Sequence, residues 1–181
     1  LKASVKRIER KFDERYQINL KELEGLVSSK TKALIITDPN NPTGLKQENL
    51  YELIEFTKSK KIYLLIDEVY NDFNSECKTS FIPNSYVIST SSLTKAYGLS
   101  GSKCGWIFAD EEIIQKCEDF QNILGNRPTD TGMSIANYVF NHLPMIYDRI
   151  SQTKKNLALL EQWFNSQSQI SWNKPDCGII C

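Results

Sequence analysis

The chain is poor in the residues that most metal and nucleophile chemistries need. It has one histidine, His142, and five cysteines, Cys77, Cys104, Cys117, Cys177 and Cys181, with no Cys-x-x-Cys pair among them. Zinc sites draw on such ligands at short spacing, so a zinc centre is not expected. The same scarcity removes Ser-His-Asp and Cys-His mechanisms unless His142 alone serves them, and His142 reads as a surface or packing residue on a helix. An odd cysteine count without a secretory leader argues against a disulfide framework, and the thiols read as buried or incidental. Charge of one sign is also lacking. The 22 basic and 22 acidic residues cancel, which leaves no field favouring nucleic acid or an anionic membrane surface. A small neutral or zwitterionic partner fits better. Long apolar runs are absent: Ala33 to Ile36 and Ile62 to Ile66 are far too short to span a bilayer, and the charged opening Leu1 to Arg15 lacks the apolar core of a signal peptide. The expected location is therefore the cytosol. No internal repeat or low-complexity tract occurs.

What is present is enough for one ordinary domain, since 181 residues with 40% hydrophobic content can bury a real core. Asn19 followed by Glu22 resembles a capping box, and Leu20, Leu23 and Val27 then fall at helical spacing, predicting a short helix that ends near Ser28. Ala33 to Thr37 is a compact apolar run halted by Asp38-Pro39, as in a buried strand that delivers a loop at its carboxyl end. A helix is predicted over Gln47 to Ser59, strands over Ile62 to Ile66 and Tyr86 to Ser89, and a short strand over Trp106 to Ala109 before Asp110 caps another helix. That helix carries Ile113, Cys117, Phe120 and Leu124 on one face and stops at Gly125. After a loop over Asn126 to Asp130, helices are predicted from Thr131 to Leu143 and beyond Pro144, the latter with Ile146, Ile150, Leu157, Leu160 and Phe164 at three- and four-residue steps. These stripes are expected to face a core. Strand and helix alternate, and the unusual residues sit at strand ends. That is the pattern of an α/β domain with helices on both faces of a mainly parallel sheet.

Three segments declare chemistry. The first is Ser92-Leu93-Thr94-Lys95 with Ala96-Tyr97-Gly98-Leu99-Ser100-Gly101, Lys103 and Gly105-Trp106 behind it. It sets one lysine after two hydroxyl residues, among glycines that let backbone approach a ligand closely. The second is Asp38-Pro39-Asn40-Asn41-Pro42-Thr43-Gly44, and the third is Leu64-Leu65-Ile66-Asp67-Glu68-Val69-Tyr70. In this order and spacing they resemble the pyridoxal-phosphate enzymes of the aspartate aminotransferase family, the class I and II aminotransferases. The resemblance is specific from about Asn19 to Trp106 and looser onward to Pro175-Asp176-Cys177-Gly178.

The resemblance implies the large cofactor-binding domain of fold type I, a three-layer α/β architecture, with pyridoxal 5'-phosphate as cofactor. It implies that Lys95 forms the Schiff base in the resting enzyme and shuttles the substrate's α-proton, and that Asp67 pairs with the pyridine nitrogen. Tyr70 and Asn41 match the two donors to the phenolic oxygen. Ser92 and Thr94 alternate with Leu93, so an extended backbone turns both hydroxyls to one side, towards the phosphate. Lys103, eight residues after Lys95, stands where the family usually carries a phosphate-binding arginine. This departure keeps the charge and loses the planar two-pronged grip. The implied reaction is transfer of an amino group between an L-amino acid and a 2-oxo acid, in a homodimer.

The family's phosphate-binding segment before Leu1 and its carboxylate-clamping arginine beyond Cys181 have no counterpart in this chain. We therefore expect residues 1–165 to be most of the large domain with the interdomain helix, and 166–181 to be the start of a truncated small domain. Such a piece alone is expected to be inactive. Lyases and decarboxylases share the same cofactor residues, and a degenerate, non-catalytic relative is the rival that Lys103 supports. Two other motif readings fail. Ile62 to Glu68 looks like the acidic strand of a nucleotide hydrolase, but no Gly-x-x-x-x-Gly-Lys-Ser/Thr loop occurs. Ser92-x-x-Lys95 meets the minimal serine-acylase pattern without either of its partner motifs.

Overall fold

A computed structural model describes residues 3–74, 78–125, 128–142 and 144–177. Cys77, Arg127, Leu143, Cys181 and the Gly178-Ile179-Ile180 segment lie outside the described residues. Among the described residues four strands, β1 (Ala33–Thr37), β2 (Tyr63–Asp67), β3 (Val87–Ser92) and β4 (Gly105–Phe108), form one sheet in the order β1-β2-β3-β4. The first three run parallel and β4 is antiparallel to β3. The α/β, mainly parallel reading holds.

Two helices, α1 (Leu20–Leu26) and α2 (Leu50–Ser59), cover one sheet face. Leu23 of α1 and Leu53 and Ile54 of α2 bury themselves with Ile36, Leu64, Ile66 and Val87, alternate residues of their strands. Fully burying each such side chain contributes roughly 1.5–3 kcal/mol, so this layer is the domain's main source of stability. Asn19 does cap α1, accepting from the Lys21 and Glu22 amides at 3.0 and 3.4 Å. Glu22 does not return the favour of a capping box and instead meets Lys11 at 3.4 Å.

The remaining helices among the described residues are α3 (Glu111–Leu124), α4 (Asp130–Asn141) and α5 (Pro144–Asn165), with single 3-10 turns at Phe12–Glu14, Asn71–Phe73 and Ser100–Ser102. Several boundaries shift from expectation. Helix α2 starts at Leu50 because the preceding residues are spent on loop contacts, and β3 extends to Ser92 because β4 pairs along it. Gly125 ends α3 at φ 64°, the left-handed stop predicted for it. Asp110 does not cap α3, because its carboxylate accepts the Asn84 amide at 2.8 Å. The α3 stripe is not core-facing among the described residues: α3 buries none of its side chains, and Phe120 and Leu124 are 62% and 59% exposed. By contrast Ile146 and Ile150 of α5 are buried, packed on Tyr70, Phe73 and Ala96. His142 is exposed and stacks on Tyr138, with ring centroids 4.0 Å apart. The described cysteines are free thiols: Cys104 and Cys177 are buried and Cys117 is partly so.

Candidate active site

Register decides which predicted residues can meet. Thr37, Asp67 and Thr90 are cross-strand partners at the carboxyl ends of β1, β2 and β3, so their side chains share one sheet face. Ser92, two residues after Thr90, lies on that face as well. It is the face opposite the α1/α2 layer. Helices and strands of parallel sheets gather reactive groups at this end because every strand delivers its loop there.

Beyond β2 the chain turns tightly. The Val69 amide donates to Asp67 Oδ1 at 3.1 Å and the Asn71 amide to the Glu68 carbonyl at 2.8 Å, which makes Tyr70 the residue that opens the 3-10 turn. A single tight turn thus separates Asp67 from Tyr70. Glu68, 4% exposed, fixes it from beneath by accepting the Ser80 amide at 2.6 Å, the Thr79 hydroxyl at 3.0 Å and the Ser89 hydroxyl. Three donors on one buried carboxylate offset the cost of taking that charge out of water. Sequence reading assigned Glu68 no task, and its position beside Asp67 was the available signal.

The lysine turn follows β3. Lys95 Nζ lies over the Tyr70 ring, 5.9 Å from its centroid. Ser92 Oγ and Thr94 Oγ1 are 2.7 Å apart. An extended backbone separates such alternate side chains too far for that contact, so the two hydroxyls converge because β3 ends at Ser92 and Thr94 enters a turn. The expectation of one-sided hydroxyls holds, but through a turn rather than an extended strand. Gly98, at φ 68°, completes the turn under the guanidinium of Arg149, which a side chain there would strike. Ala96, Ile146 and Ile150 pack beneath.

Asn41 and Lys103 are placed less directly. The Asn41 amide donates to Thr37 Oγ1 at 3.1 Å, which ties it to the row containing Asp67. The peptide bonds Asp38-Pro39 and Asn41-Pro42 are cis. Lys103 ends the Ser100–Ser102 turn at φ 49° and is exposed. The Leu93 amide donates to the Cys104 carbonyl at 3.1 Å, so the Lys103 backbone runs beside the lysine turn, but no hydrogen bond joins Lys103 to Ser92 or Thr94.

The Asn41 loop carries two buried polar side chains, Asp38 and Gln47. Asp38, 4% exposed, accepts the Gln47 amide at 2.8 Å. Its carboxyl is pushed up to about 6, chiefly by burial, with the Gln47 hydrogen bond, Lys46 and Arg10 pulling the other way. Burial likewise lowers the Arg10 guanidinium. The other end of the loop meets the far end of the chain: the Asp176 and Cys177 amides donate to the Gly44 carbonyl at 3.0 and 3.1 Å, and the Lys46 amide donates to Asp176 Oδ2 at 2.8 Å. Burial beside this loop pushes the Cys177 thiol up to about 11. A pocket of about 430 Å3 lined by Glu68, Ser91, Trp106 and Phe140 opens on the α1/α2 side of the sheet, the face opposite the one that carries Asp67 and Ser92.

These observations define a class first: a mainly parallel α/β domain whose strand ends gather one amine, one phenol, one carboxylate and a hydroxyl pair. Matching against known proteins gives the family. Residues 2–142 match the model for "Aminotransferase class I and II", and the chain belongs to that family. It is 31% identical over 162 residues to an aspartate aminotransferase of Sulfurisphaera tokodaii, an alignment spanning 84% of this chain and 41% of that protein. It is 36% identical over 105 residues to a histidinol-phosphate aminotransferase of Vibrio parahaemolyticus, covering 55% of this chain and 29% of that one. Among solved structures, a PLP-dependent aminotransferase from Streptococcus suis superposes with a TM-score of 0.80 at 28% identity, over 91% of this chain and 45% of the other. An aspartate aminotransferase from Thermotoga maritima gives 0.83 at 20% identity, over 97% and 48%, a likeness of fold. The chain thus spans less than half the length of these relatives. Class I and II aminotransferases are transferases that use pyridoxal phosphate, and the donor set here fits that group: an amine for its aldehyde, a carboxylate for its ring nitrogen, a phenol, and paired hydroxyls for its phosphate.

Proposed function

We propose that this chain is the central part of a pyridoxal-phosphate aminotransferase that moves an amino group between an L-amino acid and a 2-oxo acid. The observation that carries the reading is Lys95 Nζ poised 5.9 Å over the Tyr70 ring, in the turn where Ser92 and Thr94 meet. Bound in this site, the cofactor supplies an electron sink for the pair left behind when a substrate's α-proton departs.

The chain's own residues do the rest. Lys95 holds the cofactor's aldehyde and afterwards carries the proton at its Nζ. Asp67, at the end of β2, keeps the ring nitrogen protonated, and the Glu68 network holds that strand end still. Tyr70 and Asn41 donate to the phenolic oxygen. Ser92 and Thr94 bind the phosphate by their hydroxyls, with Lys103 adding charge alone. In this reading residues 1–165 form most of the large domain with the interdomain helix, 166–181 begin the small domain, and the whole protein works as a cytoplasmic homodimer. Among the described residues no helix is long and apolar enough to cross a membrane.

Borohydride reduction of the full-length protein with bound cofactor, followed by peptide mapping, tests the central assignment. The expected result is a pyridoxyl group on Lys95. Label on another lysine overturns the assignment. A complete absence of label favours the non-catalytic relative, the reading that a lysine at position 103 in place of the family's arginine supports.

A further inference from the structure

The loop that carries Asn41 is fastened by a side chain from far outside it. Arg10 lies in the segment before α1, where residues 3–11 belong to no helix or strand. Its guanidinium spans two amides of the loop, with Nη1 donating to Asn40 Oδ1 and Nη2 to Gln47 Oε1 at 2.8 Å. Each of those amides is itself committed. Asn40 Nδ2 donates to Thr43 Oγ1 at 2.8 Å, its backbone amide to the Leu45 carbonyl and its carbonyl accepts from Gly44, both at 2.7 Å. Asn40 Oδ1 also takes the Thr37 hydroxyl at 3.4 Å, and that same hydroxyl accepts the Asn41 amide at 3.1 Å. Gln47, 6% exposed, holds Asn49 and Gln17 through its amide nitrogen.

A half-buried guanidinium is costly, and it is ordinarily offset by a carboxylate within contact. Arg10 makes no ion pair within 4.0 Å among the described residues, and Asp38 acts on it only at longer range. Its two donors go to neutral amide oxygens on opposite ends of the same loop. That use of a rigid fork secures geometry rather than charge balance. A lysine radiates its three N–H groups from a single flexible atom and does not reproduce two donors held apart on a rigid plane.

We propose that Arg10 is a positioning residue for Asn41: by clamping Asn40 and Gln47 it fixes the Asn40-Asn41 backbone, and with it the donor that Asn41 presents to the cofactor's phenolic oxygen. The proposal rests on the reading of Asn41 given above. Arg10 touches no reacting atom and acts through the loop.

The test is a pH titration of the bound cofactor's visible absorbance in the full-length protein, for wild type, Arg10→Ala, Arg10→Lys, Asn41→Ala and the Arg10→Ala/Asn41→Ala double variant. Loss of a donor to a charged oxygen raises the midpoint by about one pH unit in Asn41→Ala. Arg10→Ala is expected to reproduce at least half of that shift, Arg10→Lys to restore little of it, and the double variant to shift no further than Asn41→Ala alone. A shifted Asn41→Ala with an unmoved Arg10→Ala overturns the role of Arg10 and leaves Asn41 in place. No shift in either overturns the reading of Asn41 and Arg10 falls with it. Additive shifts, or full restoration by lysine, show that Arg10 acts through charge and likewise overturn the clamp. Should Arg10→Ala fail to fold, Arg10→Met keeps the aliphatic stem and carries the same expectation.

Discussion

Replacing Asp38 by asparagine should flatten the pH dependence of stability in a defined window. Burial raises the Asp38 carboxyl from 3.8 to about 6, against the pull of the Gln47 amide, Lys46 and Arg10. A folded pKa above the unfolded one means that the native state holds the proton more tightly. The corresponding stability is therefore fully present below about pH 4 and is lost as pH rises through 6. A gap of this size corresponds to about 3 kcal/mol at 1.36 kcal/mol for each pH unit. Asparagine preserves the shape, and its side-chain oxygen still accepts the Gln47 amide, so the hydrogen bond at 2.8 Å survives while the buried charge goes. Urea denaturation of wild type and Asp38→Asn as full-length proteins, at pH values from 4 to 7, isolates this residue, because titrations common to both cancel in the difference. The variant should gain on wild type by roughly 2.5 kcal/mol across that range, most of it between pH 4 and 6. Parallel curves would refute the argument, and a variant that loses ground as pH rises would mean that the ionised Asp38 is stabilised by Lys46 and Arg10 more than burial penalises it.

Two further outcomes follow from particular contacts. Lys103→Ala should weaken cofactor binding roughly tenfold or more if Lys103 reaches the phosphate, since a charge-assisted hydrogen bond contributes about 1.5–3 kcal/mol, and Lys103→Arg should tighten it. Cofactor dissociation constants at fixed phosphate concentration read this directly, and equal constants for wild type and alanine variant make Lys103 a surface residue. Gly98→Ala should cost roughly 1–2 kcal/mol, because φ 68° places a Cβ against backbone whatever its neighbours do. Arg149→Ala in the same chain should recover less than half of that, the guanidinium being the far end of a flexible side chain. Denaturation midpoints of the two single variants and the double decide it, with full recovery showing that the Arg149 collision is the main cost.

The sequence by itself determined what depends on local chemistry. Apolar runs of strand length, interrupted by Asp38-Pro39 and Asp67, marked β1 and β2, because a buried parallel strand shows as a short continuous apolar stretch. Gly125 marked a helix stop because only a left-handed residue ends a helix that way without strain. The lysine, aspartate and tyrosine of the candidate site were legible because each sits in a short segment that resembles a motif of the class I and II aminotransferases, a resemblance that needs no tertiary information. Tertiary structure decided the rest. Whether the α3 stripe finds a partner depends on what packs over it, and periodicity alone reads the same for a covered and an uncovered face. Asp110 had the residue type and position of a helix cap, yet Asn84, 26 residues away in sequence, took its carboxylate. The convergence of Ser92 and Thr94 required β4 to end the strand where it does. Arg10 and Asp176 stand 30 and 132 residues from Asn40 and Gly44, so no local pattern could assign them to the Asn41 loop. Such contacts arise only when the folded chain brings distant donors and acceptors into the same buried volume, where each must find a partner.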